Sequence, residues 1–230
     1  MARVLRLEKI LILYYNLTMF ELIKSEKTVK NNDIELYHLK GLSSKNILFI
    51  GTTHGEEPQG YEILKLYINK NIKIKNNLFI IPCLNPDGYY ANSRTNSNGV
   101  DLNRNFPTKN WKLTKKNEFF GGFEPASEIE TKFMINVLNL TNPDVILSLH
   151  APFKIVNYDG PAKEISERIG KIIDYPVQSD IGYPTPGSFG TYCGVERNIP
   201  TVTLELGEDE DFEFQKESCF KIFKYLANEI

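Results

Sequence analysis

The sequence predicts an α/β fold with a largely parallel central sheet flanked by helices. Four short apolar runs, Ile47-Leu48-Phe49-Ile50, Leu78-Phe79-Ile80-Ile81, Val145-Ile146-Leu147-Ser148-Leu149 and Thr201-Val202-Thr203-Leu204, have the length of strands, and the unbroken run Ile47–Ile50 suggests one buried on both faces. Segments of helical periodicity alternate with them, as they do in layered α/β chains. No internal repeat or linker divides the 230 residues, a length that suits one domain with a full core.

Taken in order, Glu35–Leu39 mixes apolar and polar positions and reads as an early strand, and Ile47–Ile50 is the first fully buried one. Tyr61, Leu64, Tyr67 and Ile68 recur at helical spacing, so Tyr61–Ile68 predicts a helix leading to the strand Leu78–Ile81. From Cys83 to Asn117 the chain is rich in Asn, Gly, Pro and Ser with little periodicity; so long a loop in a compact domain is usually functional. Ser127–Leu138 reads as a helix, with Ser127 as its cap, Glu128 and Glu130 in its first turn, and Ile129, Phe133, Met134 and Val137 on its apolar face. The strand Val145–Leu149, the helix Lys163–Ile173, a Gly/Pro-rich loop from Gly182 to Gly190, the strand Thr201–Leu206 and an amphipathic helix Phe214–Ile230 complete the chain.

Hydrophobic content of 41%, charged content of 24% and a net charge of −2 describe an ordinary globular chain. Lys and Arg are scattered, with no basic stripe interleaved with aromatics, so no nucleic-acid partner is expected. Cys83, Cys193 and Cys219 are odd in number and form no CxxC pair. That argues against a disulfide framework and a cysteine-held metal, and for a reducing, cytoplasmic compartment. Residues 1–18 loosely imitate a signal peptide but lack a small-residue cleavage site, and Glu8 and Lys9 abut the apolar stretch Ile10–Leu17. Eight residues fall far short of the roughly 20 that span a bilayer, so a poorly tied extension before Met19, and no membrane partner, is the expectation.

The chemistry concentrates at strand ends, where open α/β sheets collect ligands. His54-Gly55-Glu56-Glu57 follows the Ile47–Ile50 run, His150 closes the third run, and Glu205 closes the fourth. Imidazole and carboxylate suit zinc, and a catalytic zinc site needs three protein ligands, an open position and an unligated acid to move the proton. A lone histidine after a strand is more often a hydrogen-bonded structural residue; here two of three histidines take matched positions beside paired acids. Glu56 and Glu57 compete as the carboxylate ligand, and spacing alone barely separates them.

His54-Gly55-Glu56-Glu57, Asn85-Pro86-Asp87-Gly88, Gly99-Val100-Asp101-Leu102-Asn103-Arg104-Asn105-Phe106 and Thr203-Leu204-Glu205-Leu206, in that order, resemble the successive signatures of the zinc metallocarboxypeptidases. The stretch Gly182–Tyr192 and the short chain look most like the compact murein peptide amidases within that family. The resemblance covers about Ile47 to Gly207 and implies a mixed, largely parallel sheet in a single catalytic domain spanning residues 19–230. It implies one zinc ion held by His54, Glu57 and His150, and Glu205 as the general base that later returns its proton to the leaving amine. Arg94 would stabilise the oxyanion, Asp101 would orient His54, and Asn103 and Arg104 would bind the substrate's terminal carboxylate. Two features depart from the digestive carboxypeptidases: Tyr183 is only a candidate for their carboxylate-proximal tyrosine, and Phe189 falls where the side-chain pocket differs throughout.

The implied substrate is a small muropeptide, cut between the γ-carboxyl of D-glutamate and meso-diaminopimelate during cell-wall recycling. Two other readings stand beside it. One is a deacylase of small N-acyl amino acids, similar to the succinylglutamate desuccinylase and aspartoacylase branch, which shares the His-Gly-x-Glu and Asp-Leu-Asn-Arg segments. The other is a non-catalytic zinc-dependent module that binds muropeptides, against which the presence of both Glu205 and Arg94 argues.

Overall fold

The computed structural model describes residues 19–230, so the expected extension over residues 1–18 lies outside the described residues. Eight strands, β1 (Glu21–Lys27), β2 (Asp33–Leu39), β3 (Asn46–Ile50), β4 (Asn77–Ile81), β5 (Val145–His150), β6 (Ile155–Asp159), β7 (Val177–Gln178) and β8 (Thr201–Glu205), form one sheet in the order β1-β2-β4-β3-β5-β8-β6-β7. Among the described residues five α-helices accompany them: α1 (Gln59–Ile68), α2 (Pro86–Ala91), α3 (Ile129–Thr141), α4 (Lys163–Ile173) and α5 (Phe212–Asn228). Pairing is parallel through the centre (β4 with β3, β3 with β5, β5 with β8) and antiparallel where β1, β2 and β6 join, so the sheet is mixed as expected.

The central strands read as continuous apolar runs because helices or loops cover both faces. On one side Ile47, Phe49, Val145, Leu147, Val202 and Leu204 pack with Ile63, Ile169, Phe223 and their neighbours from α1, α4 and α5. On the other, Leu48, Ile50 and Ile146 meet Phe133, Met134 and Val137 of α3, together with Leu102, Phe106 and Tyr192. Each fully buried side chain of this size contributes about 1.5–3 kcal/mol, which sets the strand register firmly.

The edges depart from expectation. β1, β6 and β7 were not predicted: β1 (ELIKSEK) is solvated along most of its length, β6 is only five residues, and β7 two. The expected loop Cys83–Asn117 contains α2 and a 3-10 turn at Leu102–Arg104, and a π-helical turn forms at Thr191–Val195. Ser127 does not cap α3; its hydroxyl donates to Glu128 Oε1 at 2.6 Å, and Glu128 holds the N-cap position.

Candidate active site

Three adjacent parallel strands aim their carboxyl ends at one rim. β3 ends at Ile50 and leads through Gly51–Thr53 to His54, while His150 and Glu205 close β5 and β8 as direct register partners. His54, Glu57 and His150 are buried, and one ligand atom from each lies within 4.8 Å of the others. Glu57 sits between the imidazoles, with Oε1 2.7 Å from His54 Nδ1 and Oε2 2.9 Å from His150 Nδ1. Glu56 instead leaves its side chain 47% exposed, 3.9 Å from Arg94 Nη1, which separates the two acids that spacing left level.

A hydrogen-bonded frame holds this turn. Asn85 caps α2 by accepting from Gly88 N at 2.9 Å, and its Nδ2 donates to the Thr53 carbonyl at 3.2 Å. Gly55 packs against Gly88 so closely that a Cβ there would stand 1.9 Å from the Gly88 carbonyl carbon. The His-Gly-Glu-Glu and Asn-Pro-Asp-Gly segments therefore form one interlocked unit.

Asp101, fully buried, organises the next layer. Its Oδ1 lies 3.1 Å from His54 Nε2, and its Oδ2 accepts from Arg94 Nε at 3.1 Å and Nη2 at 2.9 Å. With Nε2 engaged, His54 turns Nδ1 toward Glu57, the orientation a metal-binding imidazole needs. Arg94 Nη1 stands 3.9 Å from Glu57 Oε1, beside the cluster, and its guanidinium stacks on Phe119 with 5.1 Å to the ring centroid. Sequence reasoning passed over Phe119, which sits in an aperiodic loop with nothing to mark its contact.

The electrostatics follow from burial and charge. Burial alone lowers the His54 pKa, but the carboxylates of Glu57 and Asp101 outweigh it and raise it to about 9. Burial also opposes ionisation of Glu57, yet His54 and His150 hold its carboxyl well below the usual range. Glu205 differs: burial pushes it up to about 7, and its Oε2 has no hydrogen-bond partner among the described residues. Two imidazole nitrogens, a carboxylate and an orphaned buried oxygen beside them are a donor set and proton acceptor that fit zinc. The third histidine, His38, stacks on Phe79 far along the sheet and has no part in this cluster.

Asn103, Arg104, Tyr183 and Phe189, the residues expected to bind substrate, lie in the following loops. Arg104 is 7% exposed, donates from Nη1 to the Asn103 carbonyl at 2.7 Å and hydrogen-bonds Tyr183. Arg104, Tyr183 and Phe119 line a cavity of about 330 Å³. Phe189 is not among its lining residues: its ring packs on Phe106, and its N–H donates to Asn103 Oδ1 at 2.9 Å. Its contact is thus with Asn103, the neighbour of Arg104.

The zinc carboxypeptidase family model matches residues 15–219, nearly the whole chain. This chain belongs to the zinc carboxypeptidase family. Murein peptide amidase A of Escherichia coli K12 is 31% identical over 175 residues, covering 71% of this chain and 72% of that one. The enzyme of the same name from Vibrio campbellii is 31% identical over 177 residues, covering 71% and 70%. The crystal structure of the murein-tripeptide amidase from Escherichia coli O157 superposes with a TM-score of 0.77 at 25% identity, covering 89% of this chain and 92% of that one. As a zinc carboxypeptidase, the protein is a hydrolase whose cofactor is zinc, and its His-Glu-His cluster offers a place for one ion.

Proposed function

We propose that the protein hydrolyses small muropeptides at the amide between the γ-carboxyl of D-glutamate and meso-diaminopimelate, with His54, Glu57 and His150 holding the zinc. The observation that carries the reading is the meeting of this cluster, an unpartnered Glu205 oxygen and an Arg104–Tyr183 pair in a protein similar over 71% of its length to murein peptide amidase A. Bound zinc supplies Lewis acidity toward the scissile carbonyl and toward the attacking water. Glu205, whose buried carboxylate keeps one oxygen without a partner among the described residues, takes a proton from that water and returns it to the leaving nitrogen. Arg94, anchored on Asp101, presents its remaining N–H groups to the oxyanion as charge develops. Asn103 and Arg104 bind the free carboxylate of the leaving residue, for which a guanidinium's planar fork is suited.

The reaction belongs in a reducing, cytoplasmic setting suited to recycling of wall fragments. Support comes from Cys83, Cys193 and Cys219, all buried free thiols. Among the described residues no helix is long and apolar enough to cross a membrane. The deciding experiment incubates zinc-loaded protein with L-Ala-γ-D-Glu-meso-diaminopimelate and, separately, with N-succinylglutamate. Release of diaminopimelate is expected; succinate release without it would transfer the protein to the deacylases.

A further inference from the structure

The cavity beside Arg104 carries a second cation that no step above uses. Lys112 lines it with Arg104, Thr114, Phe119, Tyr183 and Pro186, and no lining residue is acidic. Lys112 is exposed and has no hydrogen-bond or ion-pair partner among the described residues.

Its place is built rather than accidental. Trp111, the preceding residue, donates from its backbone N–H to the Thr108 carbonyl at 3.0 Å and from Nε1 to the Gly121 carbonyl at 3.4 Å. The opposite wall is tied to the same loop: Gly187 N–H donates to Thr108 Oγ1 at 3.1 Å, and Phe106 N–H to the Gly187 carbonyl at 3.0 Å. Gly187 also passes so close that a Cβ on it would stand 2.8 Å from the Trp111 ring. Both walls are therefore held at fixed spacing before substrate arrives, which reduces the ordering cost of binding.

The geometry points to Lys112 as a specificity-determining residue that pairs with a second carboxylate, at the far end of the leaving residue's side chain. This inference rests on the muropeptide reading above and adds to it the residue that reads the second carboxylate of the leaving diaminopimelate. Once the first carboxylate engages Arg104 and Asn103, the side chain beyond it enters the cavity. Phe119, Tyr183 and Pro186 cover its methylenes, and Lys112 meets the terminal anion. Two cations with no acid between them repel a side chain ending in an amine alone. The aromatic walls thin the surrounding water and strengthen the pairing beyond that of an ordinary surface ion pair.

The experiment compares two tripeptides, L-Ala-γ-D-Glu-meso-diaminopimelate and the same peptide with its distal carboxylate converted to the carboxamide. The zinc-loaded protein should favour the carboxylate about ten-fold in kcat/KM, through KM. Lys112→Glu should remove or reverse that preference, and Lys112→Arg should keep it. Equal efficiency on both peptides in the unmodified protein, or a preference untouched by Lys112→Glu, overturns the inference. If neither peptide is cut, the muropeptide reading falls, and calorimetry on the Glu205→Gln protein decides the role of Lys112 alone. Diaminopimelate binding about ten-fold tighter than lysine, and losing that advantage in Glu205→Gln/Lys112→Glu, supports it; equal binding of the two overturns it.

Discussion

Glu205 ends a strand with one carboxylate oxygen buried and without a hydrogen-bond partner among the described residues, a position that costs free energy unless a ligand meets it. Gln has the same shape and cannot accept and return a proton, so Glu205→Gln tests the role cleanly. We expect kcat to fall about 10²–10⁴-fold with zinc content and peptide binding retained. Turnover within a few-fold of the original would remove Glu205 from the proton path. At this scale much was readable from sequence: His54, His150 and Glu205 stand out because each follows an apolar run. The choice between Glu56 and Glu57 was not, since neighbouring residues on a turn differ only in direction. The fold buries Glu57 between two imidazoles and leaves Glu56 toward water, which favours Glu57 as the proposed ligand. Phe189 shows the opposite limit, because a loop position says nothing about whether a ring faces a ligand or the core.

Among the elements, the His54–Glu57 turn and α2 act as one piece. Gly55 and Gly88 meet backbone to backbone, and Asn85 ties the cap of α2 to Thr53. Gly55→Ala places a methyl where Gly88 already stands, so one segment must move. We expect a stability loss of about 1–3 kcal/mol or more in urea unfolding, together with reduced zinc stoichiometry. A variant that binds zinc fully and unfolds at the same urea concentration would show that the two segments are not coupled. The strands β3, β4 and β5 were legible because burial on both faces leaves a nearly continuous apolar run, and β8 because Val202 and Leu204 alternate with β-branched threonines. β1 was not, because an exposed edge strand needs no apolar residues. α2 was missed because six residues containing Pro and Gly show no helical period; Asn85 caps it by accepting from Gly88 N.

For the whole molecule, stability depends on pH through acids that folding buries. Asp159, on β6, lies where Gly190 and Gly194 let the chain pass close against it, and burial pushes it up to about 6 from an ordinary 3.8. The folded state thus holds this proton more tightly than the unfolded one. Its contribution to stability falls as pH rises from about 4 to about 6 and is level above that. Asp159→Asn keeps the shape without the charge. At pH 7.5 it should be more stable than the parent by about 1 kcal/mol, partial exposure having reduced the full effect, and the advantage should vanish near pH 3.5. Paired urea melts at the two pH values check this; an unchanged difference between them would mean that Asp159 is ionised at no cost.

The sequence by itself determined the fold class, the alternation of strands and helices, and the chemical kinds of group available at the strand ends. Those features are local: periodicity reports burial, and residue type reports which atoms can bind a cation or carry a proton. Tertiary structure alone decided which strands are neighbours, and hence that β3, β5 and β8 bring their ends together. It also decided which of two adjacent acids turns inward and which loop cation faces the cavity beside Arg104. Those outcomes depend on contacts between segments far apart in the chain, such as Glu57 with His150, 93 residues later. Packing and hydrogen bonding fix them only when the whole core closes.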